Sequence, residues 1–315
     1  AAETMTVFAV CIAGLFPFIH LGRAWLVFYM LPLPNQRTLW PNFQSPLMFD
    51  VIAISTYLTV SSLFWYTGLL PDLAIIRDRS HGMRKKIFKV LSLGWSGKTG
   101  QWINYSRAYL LFAGLATPLV ISVHSVVSWD FALSVIPGWH TTIFAPYFVA
   151  GAIHSGLAMV LTLCIPLRKI LKYEALITMN VLESIAKTIV FTGIIVGFSY
   201  ATEVFIAWYS HNSIEMETFW WRAFGHYAPE YWIMVVCNTV IPLLYLSKKI
   251  RTHVIPLFII SIFVNIGMWF ERFVIIAGSV AHDFLPNAWG HYRPTWVEGG
   301  IMVGAFCLFF FLFLF

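Results

Sequence analysis

The chain has 315 residues, of which 59% are hydrophobic, 17% are Phe, Trp or Tyr, and only 11% are charged. A water-soluble domain carries roughly a quarter of its residues as charge, and this much apolar side chain would leave large exposed patches in water, so a soluble protein is excluded. The net charge of +6 keeps nucleic acid open as a partner only until the bases are located.

A spanning helix needs about 20 predominantly apolar residues. On that template the chain divides into eight spans, about 5–31, 47–76, 102–134, 142–166, 176–209, 221–246, 254–277 and 296–315. The expected class is an all-α integral membrane protein. The longest connection, Arg77 to Gly100, sets Met83, Ile87 and Val90 at helical spacing among Arg84, Lys85, Lys86 and Lys89, the pattern of a short helix lying on the membrane surface. The chain starts at Ala1 without a signal peptide and stops inside FCLFFFLFLF. It is expected to be a portion of a longer polypeptide, with segments missing upstream.

Thirteen of the 20 bases fall in three alternate connections: Arg77, Arg79, Arg84, Lys85, Lys86, Lys89 and Lys98; Arg168, Lys169 and Lys172; Lys248, Lys249 and Arg251. This positive-inside pattern puts the basic loops in the cytoplasm and the Pro/Trp-rich loops outside. The bases are accounted for by topology, so nucleic acid drops out and the lipid bilayer is the partner they record. Cys11, Cys164, Cys237 and Cys307 stand singly in apolar runs; they predict buried small hydrophobes, with no disulfide, metal or iron–sulfur site.

Charge inside a bilayer is costly and needs a reason. Asp50 opens the second span and Asp130 closes the third, both at the external level. Arg272, beside Glu271, lies near the external end of the seventh, and His20 in the outer half of the first. Each has an ordinary explanation: a carboxylate favouring a helix N-terminus, water contact, a packed histidine, an arginine paired with Glu271. Together they also fit a quinone pocket, because quinol oxidation needs an acceptor for each hydroxyl proton and His with Asp supplies a neutral and an ionised base.

The stretches FPFIHLGRAW (16–25), LWPNFQSPLMFD (39–50), HSVVSWDFA (124–132), PGWHTTIFAPYFVAGAIHSG (137–156) and NIGMWFERFVI (265–275) resemble the integral-membrane subunits of the polysulfide-reductase/NrfD family, above all the quinol-site subunit of bacterial alternative complex III. The resemblance implies two adjacent four-helix bundles and a peripheral helix. Residues 1–136 would form the first bundle, incomplete at its N-terminus and carrying the quinol site. Residues 137–278 would form the second, and 279–315 an external loop with the peripheral transmembrane helix. It implies His20 and Asp50 as catalytic, Asp130 and Arg272 as further quinol-binding residues, and menaquinol as substrate, with no haem or iron–sulfur cluster in this chain. The implied partners are a periplasmic iron–sulfur protein, c-type cytochrome subunits, a homologous membrane sister subunit and a terminal cytochrome oxidase. The implied location is the bacterial inner membrane, with the quinol site toward the periplasm.

In the fifth span Glu183 and Lys187 share a helix face, and Glu203 lies 20 residues further on, about 30 Å by helical rise. Two readings stand. One is a neutralising ion pair with Glu203 snorkelling outward. The other is a pair of proton half-channels, loaded at Glu183 and Lys187 and continued outward through Glu203, His124 and Asp130. The resemblance adds weight to the second. His140 and His154 have the spacing of a membrane haem pair, but no second helix repeats it. Gly193-x-x-x-Gly197 and Gly300-x-x-x-Gly304 predict close helix packing, and Trp129, Trp139, Trp220 and Trp221 an interfacial belt. A non-redox sister subunit or a proton or ion transporter of the same fold is the competing class.

Overall fold

The computed structural model describes residues 2–20, 23–35, 37–40, 43, 45–282, 285, 287 and 289–314, and no strand occurs among them. Among the described residues, eight helices are long and apolar enough to cross a membrane: α1 (Ala2–His20), α2 (Pro46–Arg79), α4 (Thr99–Ala132), α5 (Phe144–Ile170), α6 (Met179–Tyr209), α8 (Ala228–Val235 with its continuation to Leu246), α10 (Val254–Phe273 with its continuation to Gly278) and α11 (Trp296–Leu314). The chain is thus the all-α, multi-pass protein its hydropathy predicts. Between these helices lie α3 (Gly82–Leu91), α7 (Ser213–Phe224) and the single turn α9 (Lys248–Arg251). Pro17, Pro71, Pro118 and Pro166 sit inside spanning helices, where neighbouring groups can satisfy the carbonyl that each leaves free.

Contacts divide the chain into two compact units, residues 1–123 with 295–315, and residues 124–294. In the first, α1 packs on α2 and on α11. Helix α3 occupies the expected surface-helix segment, with Met83, Ile87 and Val90 all exposed. Its turn into α4 is tied down by Arg77, whose Nη1 donates to the Trp95 carbonyl at 2.8 Å.

The second unit is a four-helix bundle of α5, α6, α8 and α10. Its centre is Ala158, Leu161, Leu182, Ala186, Ile189, Tyr245, Leu257 and Val264, all fully buried. In lipid the hydrophobic effect does not drive helices together, so close van der Waals packing must. Gly193 and Gly197 provide it as predicted: a Cβ at Gly193 would lie 3.1 Å from His154 Cε1 and 3.2 Å from the Asn238 carbonyl, and one at Gly197 3.0 Å from Thr239 Cγ2. The Gly300/Gly304 expectation is corrected, since nothing among the described residues approaches either position.

Three further expectations change. The first span, read as 5–31, is α-helical over Ala2–His20 and 3-10 over Ala24–Met30, a change of helix type that hydropathy does not register. The sixth, read as 221–246, begins at Ala228. Gly225 ends α7 and Pro229 starts α8, while apolar residues run on across the break. Of the cysteines, all free, Cys237 is buried but Cys11 and Cys307 are exposed on helix surfaces.

Two spanning helices of this unit are irregular. Helix α8 widens into a π-turn at Val236–Val240 and tightens into 3-10 at Ile241–Leu246. Pro242 lies four residues after Asn238 and has no N–H to offer that carbonyl. Helix α10 ends in a second π-turn, Val274–Gly278, whose Ile275 carbonyl accepts the Trp139 indole N–H at 2.6 Å. Trp139, expected in an interfacial belt, is a clamp between loop and helix.

Candidate functional site

Charged and polar groups concentrate inside the second unit. Glu271 on α10 is fully buried. Its Oε2 accepts the Tyr200 hydroxyl at 2.5 Å and the Asn238 amide at 3.4 Å, and its Oε1 faces Arg272 Nη2 at 3.5 Å. Asn238 Nδ2 also donates to the Tyr200 oxygen at 2.8 Å. The π-turn aims Asn238 here: the extra residue in the turn swings its side chain across to α10, in keeping with the frequent use of such turns at functional positions. Gly267 leaves the space, because a Cβ there would overlap Asn238 Oδ1 and Cys237 Cβ.

The Arg272 guanidinium lies over the Phe148 ring, 4.1 Å from its centroid, within the range of a cation–π contact. Its Nη1 is buried without a hydrogen-bond partner among the described residues. Phe148 packs in turn on Phe131, ring centroids 5.4 Å apart, and Phe131 directly follows Asp130, whose Oδ1 is likewise buried and unbonded. Arg272 thus stacks on this aromatic cluster of the second unit, and Asp130 directly precedes one of its members in the chain. Asp50 belongs to the first unit, where it is buried one turn into α2. The side chain of His20 lies outside the described residues.

At one end of α6, Glu203 is only 8% exposed, so it does not snorkel. It lines a cavity of about 180 Å³ together with His140, Thr141, Ser210, Asn212 and Glu215. On its inner side it shares a void of about 10 Å³ with Tyr147, Tyr200, Arg222 and Tyr231, roughly the room one water needs. Arg222 is buried on α7, donating to the Ser279 hydroxyl and to the Gly138 carbonyl at 3.4 Å. Burial pulls its guanidinium below the ordinary pKa, and the Glu203 carboxylate opposes that shift. Its sequence position, at the very start of the span read as 221–246, does not show what it faces. His124 is half-buried, and neither it nor Asp130 is among the residues lining the Glu203 cavity.

At the other end of α6, Glu183 pairs with Lys187 at 3.0 Å, as its spacing predicts, and also with Arg251 at 2.9 Å. Arg251 is the tighter restraint: its side chain is 19% exposed against 57% for Lys187. In the sequence it stands among the topology-setting bases, since helical periodicity cannot show a contact between α6 and α9. Deeper in the bundle, His154 Nδ1 meets the Thr192 hydroxyl at 2.9 Å, and Thr162 bonds both Ser261 and Asn265. Polar groups therefore recur along the second unit between its charged ends.

Residues 1–282 match the family described as polysulphide reductase, NrfD. The chain is also similar to a putative membrane subunit of a dimethyl sulfoxide reductase from Halobacterium salinarum, with 26% identity over 329 aligned positions covering 94% of this chain and 68% of that protein.

Proposed function

The chain belongs to the polysulphide reductase NrfD family, and from that premise we propose that it is the quinol-oxidising membrane subunit of a respiratory complex of the alternative complex III type. Menaquinol is the substrate. His20 and Asp50 take its two hydroxyl protons as it gives up two electrons, and Asp130 and Arg272 are further quinol-binding residues. The electrons pass to an iron–sulfur partner on the periplasmic side and on through c-type cytochrome subunits to a terminal oxidase, with a homologous sister subunit alongside in the bacterial inner membrane. The basic loops face the cytoplasm.

The observation that carries this reading is Arg272. A guanidinium in a membrane-spanning helix marks function by default, and among the described residues this one has a single ion-pair partner, an unbonded Nη1 and an aromatic floor. A flat ring bearing two oxygens is the ligand such a group suits.

The polar groups of the second unit support a second activity, proton translocation coupled to quinol oxidation. Glu183 with Lys187 forms the cytoplasmic mouth, and Glu203, with His124 and Asp130, the outward side. The sulfoxide-reductase name of the similar Halobacterium protein favours one alternative, in which the same quinol oxidation feeds a sulfur-compound reductase instead of c-type haems. A haem spectrum of the purified complex separates the two acceptors.

The test of the core reading is quinol oxidation by the assembled complex carrying His20→Ala or Asp50→Asn. Removing a general base costs about 10²–10⁴-fold, and each variant is expected to lose activity on that scale. Full activity in both would overturn the assignment.

A further inference from the structure

We infer that Glu271 binds and releases a proton as Arg272 leaves and rejoins it, so that the residue proposed to hold quinol sets the charge of a carboxylate connected to the Glu203 cavity. This rests on the reading that Arg272 contacts quinol.

The connections are continuous within the second unit. The cavity of about 180 Å³ reaches Glu203. Glu203 lies one helical turn from Tyr200 on α6, and the two share the void of about 10 Å³. Tyr200 donates its hydroxyl hydrogen to Glu271 Oε2 at 2.5 Å. Asn238 fixes that direction: its amide occupies the Tyr200 oxygen as a donor at 2.8 Å and so keeps the hydroxyl pointed at Glu271. On the far side, Glu271 Oε1 has Arg272 Nη2 at 3.5 Å and, among the described residues, no hydrogen bond. One carboxylate thus divides its two oxygens between hydrogen-bond donors, one of them a hydroxyl, and a cation.

A fully buried carboxylate stays ionised only while a counter-charge or sufficient hydrogen bonds hold it. When Arg272 turns toward a bound quinol oxygen, the Coulomb contact at Oε1 is lost, while Tyr200 and Asn238 at Oε2 and the buried Tyr147 hydroxyl that also faces the carboxylate remain. A proton then moves inward. Glu203 takes up a proton from the cavity it lines and gives it to a water in the void, that water passes one to the Tyr200 oxygen, and Tyr200 hands its own hydroxyl proton to Glu271. One O–H bond breaks at each donor as one forms at each acceptor, leaving Tyr200 unchanged and Glu271 neutral. When quinone departs and Arg272 returns, the sequence reverses toward the cavity. Glu271 is a positioning and relay group; it does not touch the quinol.

The test uses the assembled complex and two readouts. Infrared difference spectra on quinol-site inhibitor binding should show a protonated-carboxyl band that disappears in Glu271→Gln and shifts in Glu271→Asp. In proteoliposomes the proton yield per electron should fall at least about twofold in Glu271→Gln and recover in part in Glu271→Asp. A band unchanged in Glu271→Gln overturns the inference, whatever the proton yield. A band lost as expected in a complex whose wild type moves no protons supports the inference and overturns the translocation reading instead.

Discussion

Glu271 shows how far a single residue can be read. Its neighbour Arg272 makes it visible as an ion-pair partner, and the pair is present at 3.5 Å. Tyr200 and Asn238 carry no such mark, because a tyrosine and an asparagine in apolar helices acquire meaning only from what faces them. Gly267 is equally silent. With Ala at 267 the new methyl would overlap Asn238 and Cys237, and overpacking of this kind costs typically about 1–3 kcal/mol. The Tm of the purified complex should therefore drop, while Ala at Gly300, which faces open space within the described residues, should leave it unchanged. Glu183 carries a second prediction. Glu183→Gln weakens its pairs with Lys187 and Arg251 far from the proposed quinol-binding residues, so uncoupled quinol oxidation should persist and the proton yield should decline. An unchanged yield would remove Glu183 from the route.

At the scale of elements, hydropathy finds the spanning helices but not their irregularities. A run such as YWIMVVCNTVIPLL has the composition of an ordinary span, yet Pro242 deprives the Asn238 carbonyl of its donor and the helix widens there into a π-turn. Hydropathy likewise merges α7 with α8, although Gly225 and Pro229 stand as punctuation. The surface helix α3 is the more legible element, because its apolar and basic residues alternate at helical period. It also yields a test: a fluorophore attached at Ile87 should be quenched by lipid-bound nitroxides, and one at Lys85, on the opposite face, should not. Equal quenching at both sites would mean that α3 does not lie along the membrane surface.

The molecule as a whole is legible where its solvent dictates the pattern. Length, apolar content and the alternation of basic loops follow from the bilayer, and the eight spans follow from them. The division into units at residue 123 is not legible, since α4 runs through it without any change of composition. Sidedness has its own check: a membrane-impermeant maleimide should label Lys249→Cys only from the cytoplasmic side and Glu217→Cys only from the external side. The central claim is that this subunit binds and oxidises quinol. Photo-crosslinking of the complex with an azido-menaquinone analogue, followed by peptide mapping, tests it most directly. Label on the segments holding His20, Asp50, Asp130 or Arg272, displaced by excess menaquinol analogue, is the result expected; labelling confined to partner subunits, or not displaced by quinol, would contradict it.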